Sequence, residues 1–119
     1  SVPQEWLAII NQYGGEIPET YGVPVEQICE GIKHGVRKIN IDTDLRLAST
    51  GAVRRYLAEN PAAFDPRSYL KETITAMKDI AMARYEAFGT AGNASKMKAL
   101  NLDAMTARYD SGELDPKII

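Results

Sequence analysis

The residues Asn40-Ile41-Asp42-Thr43-Asp44 bring one amide, two carboxylates and one hydroxyl into a single short stretch. Asn both donates and accepts hydrogen bonds, so it can serve an oxyanion or a sugar hydroxyl. Asn40 and Asp42 stand at i and i+2, which share one face of an extended strand. If a helix opens after Asp42, its first N–H groups can hold a phosphate. This group of residues is suited to polyol and phosphate chemistry. The plainer reading is a cap between a strand and a helix, which needs only Thr43 or Asp44. Capping does not require both Asn40 and Asp42. Arg67 is the second candidate. It follows the helix start Asp65-Pro66 directly, in a first turn where positive charge opposes the helix dipole. An arginine there suits a bidentate phosphate contact, unless it is an ordinary exposed side chain.

Other reactive groups are scarce. His34, the one histidine, falls at a helix end, where it reads as a dipole partner rather than a ligand. Cys29, the one cysteine, sits on an apolar helix face and reads as a small buried hydrophobe. Together these counts exclude an internal disulfide framework, a Cys-rich zinc site and a two-His metal site, and the single cysteine fits a reducing compartment. Arg54 and Arg55 are adjacent, so at most one can point inward. Trp6, Met77 and Met82 read as packing residues. There is no Gly-rich phosphate fingerprint, nucleophile elbow or zinc-spacing motif.

The elements that must position these groups follow from punctuation and period. Pro3 suits a first helical position, with Ser1 as a cap, and Trp6, Ile9, Ile10 and Tyr13 recur on one helical face. Gly14-Gly15 ends that helix. Pro24 opens a second, through Ile28, Cys29 and Ile32, that stops at Gly35. Val36 to Asp42 is short and β-branched and predicts a strand. Thr43 or Asp44 caps a third helix, which reaches about Glu59 before Asn60-Pro61 breaks it. Asp65-Pro66 starts the longest helix, about 67–88, with Leu70, Ile74, Met77, Ala81, Tyr85 and Phe88 as its apolar stripe. Gly89 stops it. A polar loop over 90–98, a short helix over 102–109 and a tail over 111–119 follow.

The chain has 119 residues, 45% of them hydrophobic and 25% charged, which fits one ordinary globular domain. The net charge of −2 points to no nucleic acid and no polybasic membrane contact. No apolar run reaches the roughly 18 residues of a membrane span. A lone strand, however, cannot be satisfied inside one domain. Each N–H or C=O buried without a partner costs roughly 1–3 kcal/mol. Either 36–42 is not a strand and the chain is all-helical, or this is the end of a larger α/β protein. The opening Ser1-Val2, without Met or a signal segment, fits the second reading.

The stretch from Gly35 to Arg46 resembles the last barrel strand and following helix start of class II fructose-1,6-bisphosphate aldolases. Val2-Pro3-Gln4-Glu5, Gly14-Gly15-Glu16-Ile17, Phe64-Asp65-Pro66-Arg67 and Arg84-Tyr85-Glu86-Ala87-Phe88-Gly89-Thr90-Ala91-Gly92 are similar to the Calvin-cycle subtype of that family. The resemblance implies the C-terminal part of a (β/α)8 TIM barrel followed by a helical extension. Residues 1–59 would be the end of the barrel, with its final strand at 36–42, and 60–119 an extension in subunit contacts. It implies a cytoplasmic, homo-oligomeric lyase of glycolysis, gluconeogenesis and the Calvin cycle. That enzyme interconverts fructose 1,6-bisphosphate with dihydroxyacetone phosphate and glyceraldehyde 3-phosphate.

By the same resemblance, Asn40 is the catalytic residue that hydrogen-bonds the dihydroxyacetone phosphate enediolate. Asp42 lies beside the substrate, and the Thr43 hydroxyl and N–H meet a phosphate. Ile41 contributes at most its backbone. Arg67 reaches into a neighbouring subunit's site and binds the other phosphate. Zinc, with a monovalent cation, is implied for the whole enzyme, but the metal ligands and the acid/base aspartate correspond to residues upstream of Ser1. None of the chain's own residues is therefore expected as a metal ligand, and the chain alone is expected to be inactive. A different class of reading treats the chain as an independent helical protein-interaction module that offers the 70–88 stripe to a partner.

Overall fold

Helix α3, Thr43–Glu59, and helix α4, Pro66–Ala87, run antiparallel and form the centre of the molecule. The structure, a computed structural model, describes residues 1–117. Around that pair lie α1 (Gln4–Gln12), α2 (Val25–Lys33), a 3₁₀ turn at Ala94–Lys96 and α5 (Leu102–Asp110). The expected helices are thus present, within a residue or two of their predicted ends.

Local chemistry explains those ends. The Asp65 carboxylate accepts from the Arg67 N–H at 3.0 Å, and Pro66 takes the first helical position, where no N–H is needed. Gly14 and Gly89 follow α1 and α4 with φ of +84° and +72°, a conformation that costs a glycine little. Pro3 and Pro24 stand one position earlier than expected, at the caps of α1 and α2. Ser1 does not cap α1: its hydroxyl donates instead to Asp44. Nor does Thr43 or Asp44 cap α3. The cap position is Asp42, whose side chain makes no capping bond.

Small residues make the core. Ala48 and Ala52 of α3 meet Ala76 of α4, with Trp6 and Ile80 packed against them. Alanines let two helix backbones approach closely and lose almost no side-chain entropy on burial. Gly51 extends this seam toward α1. A Cβ there would lie 2.7 Å from the Trp6 ring, so Trp6 can lie flat on α3 only because residue 51 has no side chain. The Arg55 guanidinium covers the same indole at 5.3 Å. Arg54, on another face, is exposed and donates to the Tyr13 carbonyl at 3.3 Å.

The apolar stripe predicted for α4 is not its buried face. Thr73 and Ala76 are buried, whereas Leu70 and Ile74 are 48% and 68% exposed and Tyr85 is also exposed. Met77 is half-buried and Met82 exposed, so only the first fits a packing role. Cys29 is half-buried, and its thiol donates to the Ala87 carbonyl at 3.2 Å, tying α2 to the end of α4. The helices α2 and α5 bury no residue fully.

The strand expected over 36–42 is not formed. Those residues are irregular, and no strand occurs among the described residues. A strand exists through its ladder, and no neighbouring strand is available here to accept its N–H groups. The chain is correspondingly extended. Its radius of gyration is 19.4 Å, against about 14 Å for a compact domain of this length. The two expected parts, 1–59 and 60–119, share the α3–α4 seam. The last two residues of the expected tail lie outside the described residues.

Candidate functional site

Residues 36–41 cross the C-terminal half of α4. Val36, Ile39, Ile41 and Leu45 face Ala81, Tyr85 and Phe88 across a cleft of about 610 Å³. The apolar residues of this segment line the cleft, and its polar residues emerge where the segment turns into α3. Asn40, Asp42 and Thr43 are exposed and Ile41 half-buried.

Asn40 and Asp42 are each held by a local partner. Lys38 Nζ donates to Asn40 Oδ1, which leaves the Asn40 amide N–H₂ as the group available to an incoming acceptor. Arg46 Nε donates to Asp42 Oδ1 at 2.8 Å, one turn along α3. Thr43 is the first residue of α3, where uncapped N–H groups and the positive end of the helix dipole favour an anion. The site is therefore an open rim carrying one amide donor, one carboxylate and a helix N-terminus.

Beneath this rim lies a buried cluster. Asp44 is 1% exposed. It accepts from Arg84 Nη2 at 2.6 Å and from the Ser1 hydroxyl at 2.8 and 2.7 Å. Removing one partner of a buried ion pair typically costs about 3–5 kcal/mol, because the other charge is left uncompensated. Arg84 has no predicted role. Its signal in the sequence is periodic: Thr73, Ala76, Ile80 and Arg84 follow one another at three- and four-residue spacing on one face of α4. The Ser1 contact, 43 residues away in sequence, has no local signal.

Arg67 is not brought to the rim. It stands at the start of α4, beside the C-terminal end of α3, while Thr43 opens α3 at the other end. The 17 residues of α3 separate them by about 25 Å. The Arg67 side chain is 91% exposed. Its Nε and Nη2 donate to Asp65, at 2.9 Å and 2.5 Å to Oδ2, and Nη1 has no acceptor among the described residues. This pairing holds the Asp65 carboxyl below the usual carboxylate range, first through the guanidinium and then through the Arg67 N–H. It also keeps the guanidinium protonated more firmly.

His34 is exposed, with Nε2 3.0 Å from Glu30. Glu30 is pushed below its ordinary value, chiefly by Lys33 and then by His34. Among the described residues no three His, Cys, Asp or Glu side chains gather as a metal ion would require. No helix of the described residues is long and apolar enough to cross a membrane.

Comparison with known proteins gives a consistent result. The family model described as "Fructose-bisphosphate aldolase class-II" matches residues 19–93. A fructose-bisphosphate aldolase of Pseudomonas aeruginosa is 73% identical over 118 residues, which are 99% of this chain and 33% of the relative. A fructose-bisphosphate aldolase of Nostoc sp. is 61% identical over 115 residues, 97% of this chain and 32% of the relative. A class 2 enzyme of that name from Synechocystis sp. is 60% identical over 114 residues, 96% of this chain and 32% of its own. The chain spans about a third of the length of these curated relatives.

Proposed function

The chain belongs to the class II fructose-bisphosphate aldolase family, and from that premise we propose that it forms one wall of that enzyme's substrate site. The reaction is the reversible cleavage of fructose 1,6-bisphosphate to dihydroxyacetone phosphate and glyceraldehyde 3-phosphate, in the cytoplasm. Residues 1–59 would complete a (β/α)8 barrel, where 36–42 gains the neighbouring strands it lacks here. Residues 60–119 would be the helical extension through which a homo-oligomer forms.

The family depends on a divalent metal. Among the described residues no three His, Cys, Asp or Glu side chains gather; by the family resemblance, zinc and a monovalent cation would be held by residues outside this chain. What this chain contributes is binding and charge. Asn40 donates its N–H₂ to the enediolate oxygen of dihydroxyacetone phosphate, with its Oδ1 already occupied by Lys38. Asp42 accepts from a substrate hydroxyl. Thr43 offers its hydroxyl and N–H to the phosphate at the N-terminus of α3. Ile41, half-buried, lines the apolar cleft and contributes at most its backbone. Arg67, about 25 Å away by helix rise and almost fully exposed, binds the other phosphate in a neighbouring subunit's site.

That separation is the observation that carries the proposal, because one chain cannot bring Arg67 and Asn40 to the same substrate. The test is made on the full-length enzyme. Asn40→Ala should lower kcat by about 10²-fold, the usual cost of an oxyanion donor. Arg67→Ala should raise KM for the bisphosphate roughly ten-fold with metal content unchanged. Mixing the two variants under conditions that exchange subunits should restore activity, because a hybrid pair holds one complete site. Failure to restore it would place Arg67 in its own subunit's site and refute the arrangement.

A further inference from the structure

We propose that Asp44 and Arg84 are positioning residues for the substrate segment Asn40–Thr43. The inference rests on the functional reading of that segment given above. Side-chain hydrogen bonds of the segment are all local: Asn40 is held by Lys38 and Asp42 by Arg46, partners two and four residues away. Local bonds fix side-chain orientation but leave the segment free to move as a unit against the rest of the molecule. Asp44, next to Thr43, supplies the long-range tie. Its carboxylate is bound by Arg84, 40 residues later, and by the Ser1 hydroxyl, 43 residues earlier.

Three elements therefore converge on one buried carboxylate: the entry to α1, the first turn of α3 and the last turns of α4. The Asp44 side chain is 2% exposed and that of Arg84 14%, so water does little to weaken the pair. Arg84 Nε is buried without a hydrogen-bond partner among the described residues. The guanidinium thus relies on Asp44 alone, and its position is set by that carboxylate. A shift of the pair would carry Thr43 and its N–H with it, because Thr43 and Asp44 are consecutive residues of one helical turn.

The geometry also predicts which substrate would feel a loss. Thr43 and Asn40 are assigned to dihydroxyacetone phosphate, and Arg67 to the other phosphate. In the full-length enzyme, Asp44→Asn keeps the size of the side chain and removes its charge. In the condensation direction it should raise KM for dihydroxyacetone phosphate at least ten-fold, while KM for glyceraldehyde 3-phosphate changes less than two-fold. Arg84→Met should do the same, and Arg84→Lys, which keeps the charge, should recover part of the loss. The Asp44→Asn/Arg84→Met double variant should lose no more than the worse single one, as expected of a coupled pair.

Equal rises in both KM values, or additive losses in the double variant, would overturn the proposal. So would a lowered Tm with both KM values unchanged. Should Asp44→Asn fail to fold, Arg84→Met decides, since an unaltered KM for dihydroxyacetone phosphate in that variant would refute the positioning role. Asn40→Ala run in parallel separates the two readings. If it is also without kinetic effect, the substrate segment is misassigned. If it alone impairs the enzyme, only the positioning pair fails.

Discussion

Helix α4 has two unlike faces. The inner one, Thr73, Ala76, Ile80 and Arg84, is small or polar except for Ile80 and is packed against α3. The outer one carries Leu70, Ile74 and Tyr85, larger and more apolar, and is open to solvent. Side-chain size would assign burial the other way round. The difference shows that close helix packing is decided by how near two backbones can come, which favours Ala48, Gly51, Ala52 and Ala76. Among the described residues Leu70 and Ile74 of the outer face stay exposed, whereas Tyr85 borders the cleft beside residues 36–41. In a molecule that spans a third of its relatives, the outer face is the one on which further protein surface would be expected.

The contrast breaks most sharply at Ala76. Ala76→Leu in the full-length enzyme inserts three carbons into a seam of alanines and should destabilise it by about 1–3 kcal/mol, read as a lower midpoint in denaturant. Subunit association of the remaining folded protein should be unchanged. A neutral Ala76→Leu would show that the seam has spare room and that the inner face is not the packed one. Ile74→Ser probes the outer face and should have the opposite profile. The stability of the subunit should move by no more than about 0.5 kcal/mol, as for an exposed position. Sedimentation should show weaker association if residues 60–119 carry the subunit contacts. Undiminished association would remove this face from the interface.

These faces also mark what could be read from the residues and what could not. The helix ends were legible because each is set locally: Asp65 and Pro66 open α4, and Gly89 closes it. The segment 36–42 has the composition of a strand, but β-branched residues only fit a pleat; the ladder comes from neighbours that this chain does not carry. Asp44 beside a helix start reads as a cap, since the capping preference is local, whereas its real partners lie 40 and 43 residues away. Asn40, Asp42 and Thr43 stand out by type, and all three are exposed. The i and i+2 spacing of Asn40 and Asp42, however, means a shared face only on a strand, which is not formed. Arg67 stood out because its charge opposes the helix dipole. Its remoteness from the rim follows only once α3 and α4 are seen to run antiparallel.

The smallest effect is expected at the point where both faces of α4 begin. Asp65 caps the helix and binds Arg67 through the same carboxylate, so its ionised form is favoured in the folded protein and its pKa is depressed. A depressed carboxylate stabilises the fold above its unfolded pKa, near 4, and that contribution is lost as pH falls through the folded value. Asp65→Asn keeps a capping oxygen but cannot be ionised. Wild type should therefore melt slightly above Asp65→Asn at pH 7, and the gap should close as the pH is lowered through 4 toward 2. Because only the difference between the two proteins is read, the other carboxylates of the enzyme cancel. A gap that stays constant over this range would mean that the Arg67 pairing adds nothing to the cap. Arg67 would then be held in place by Asp65 without being stabilised by it, and its guanidinium would be the freer to bind the phosphate proposed for it.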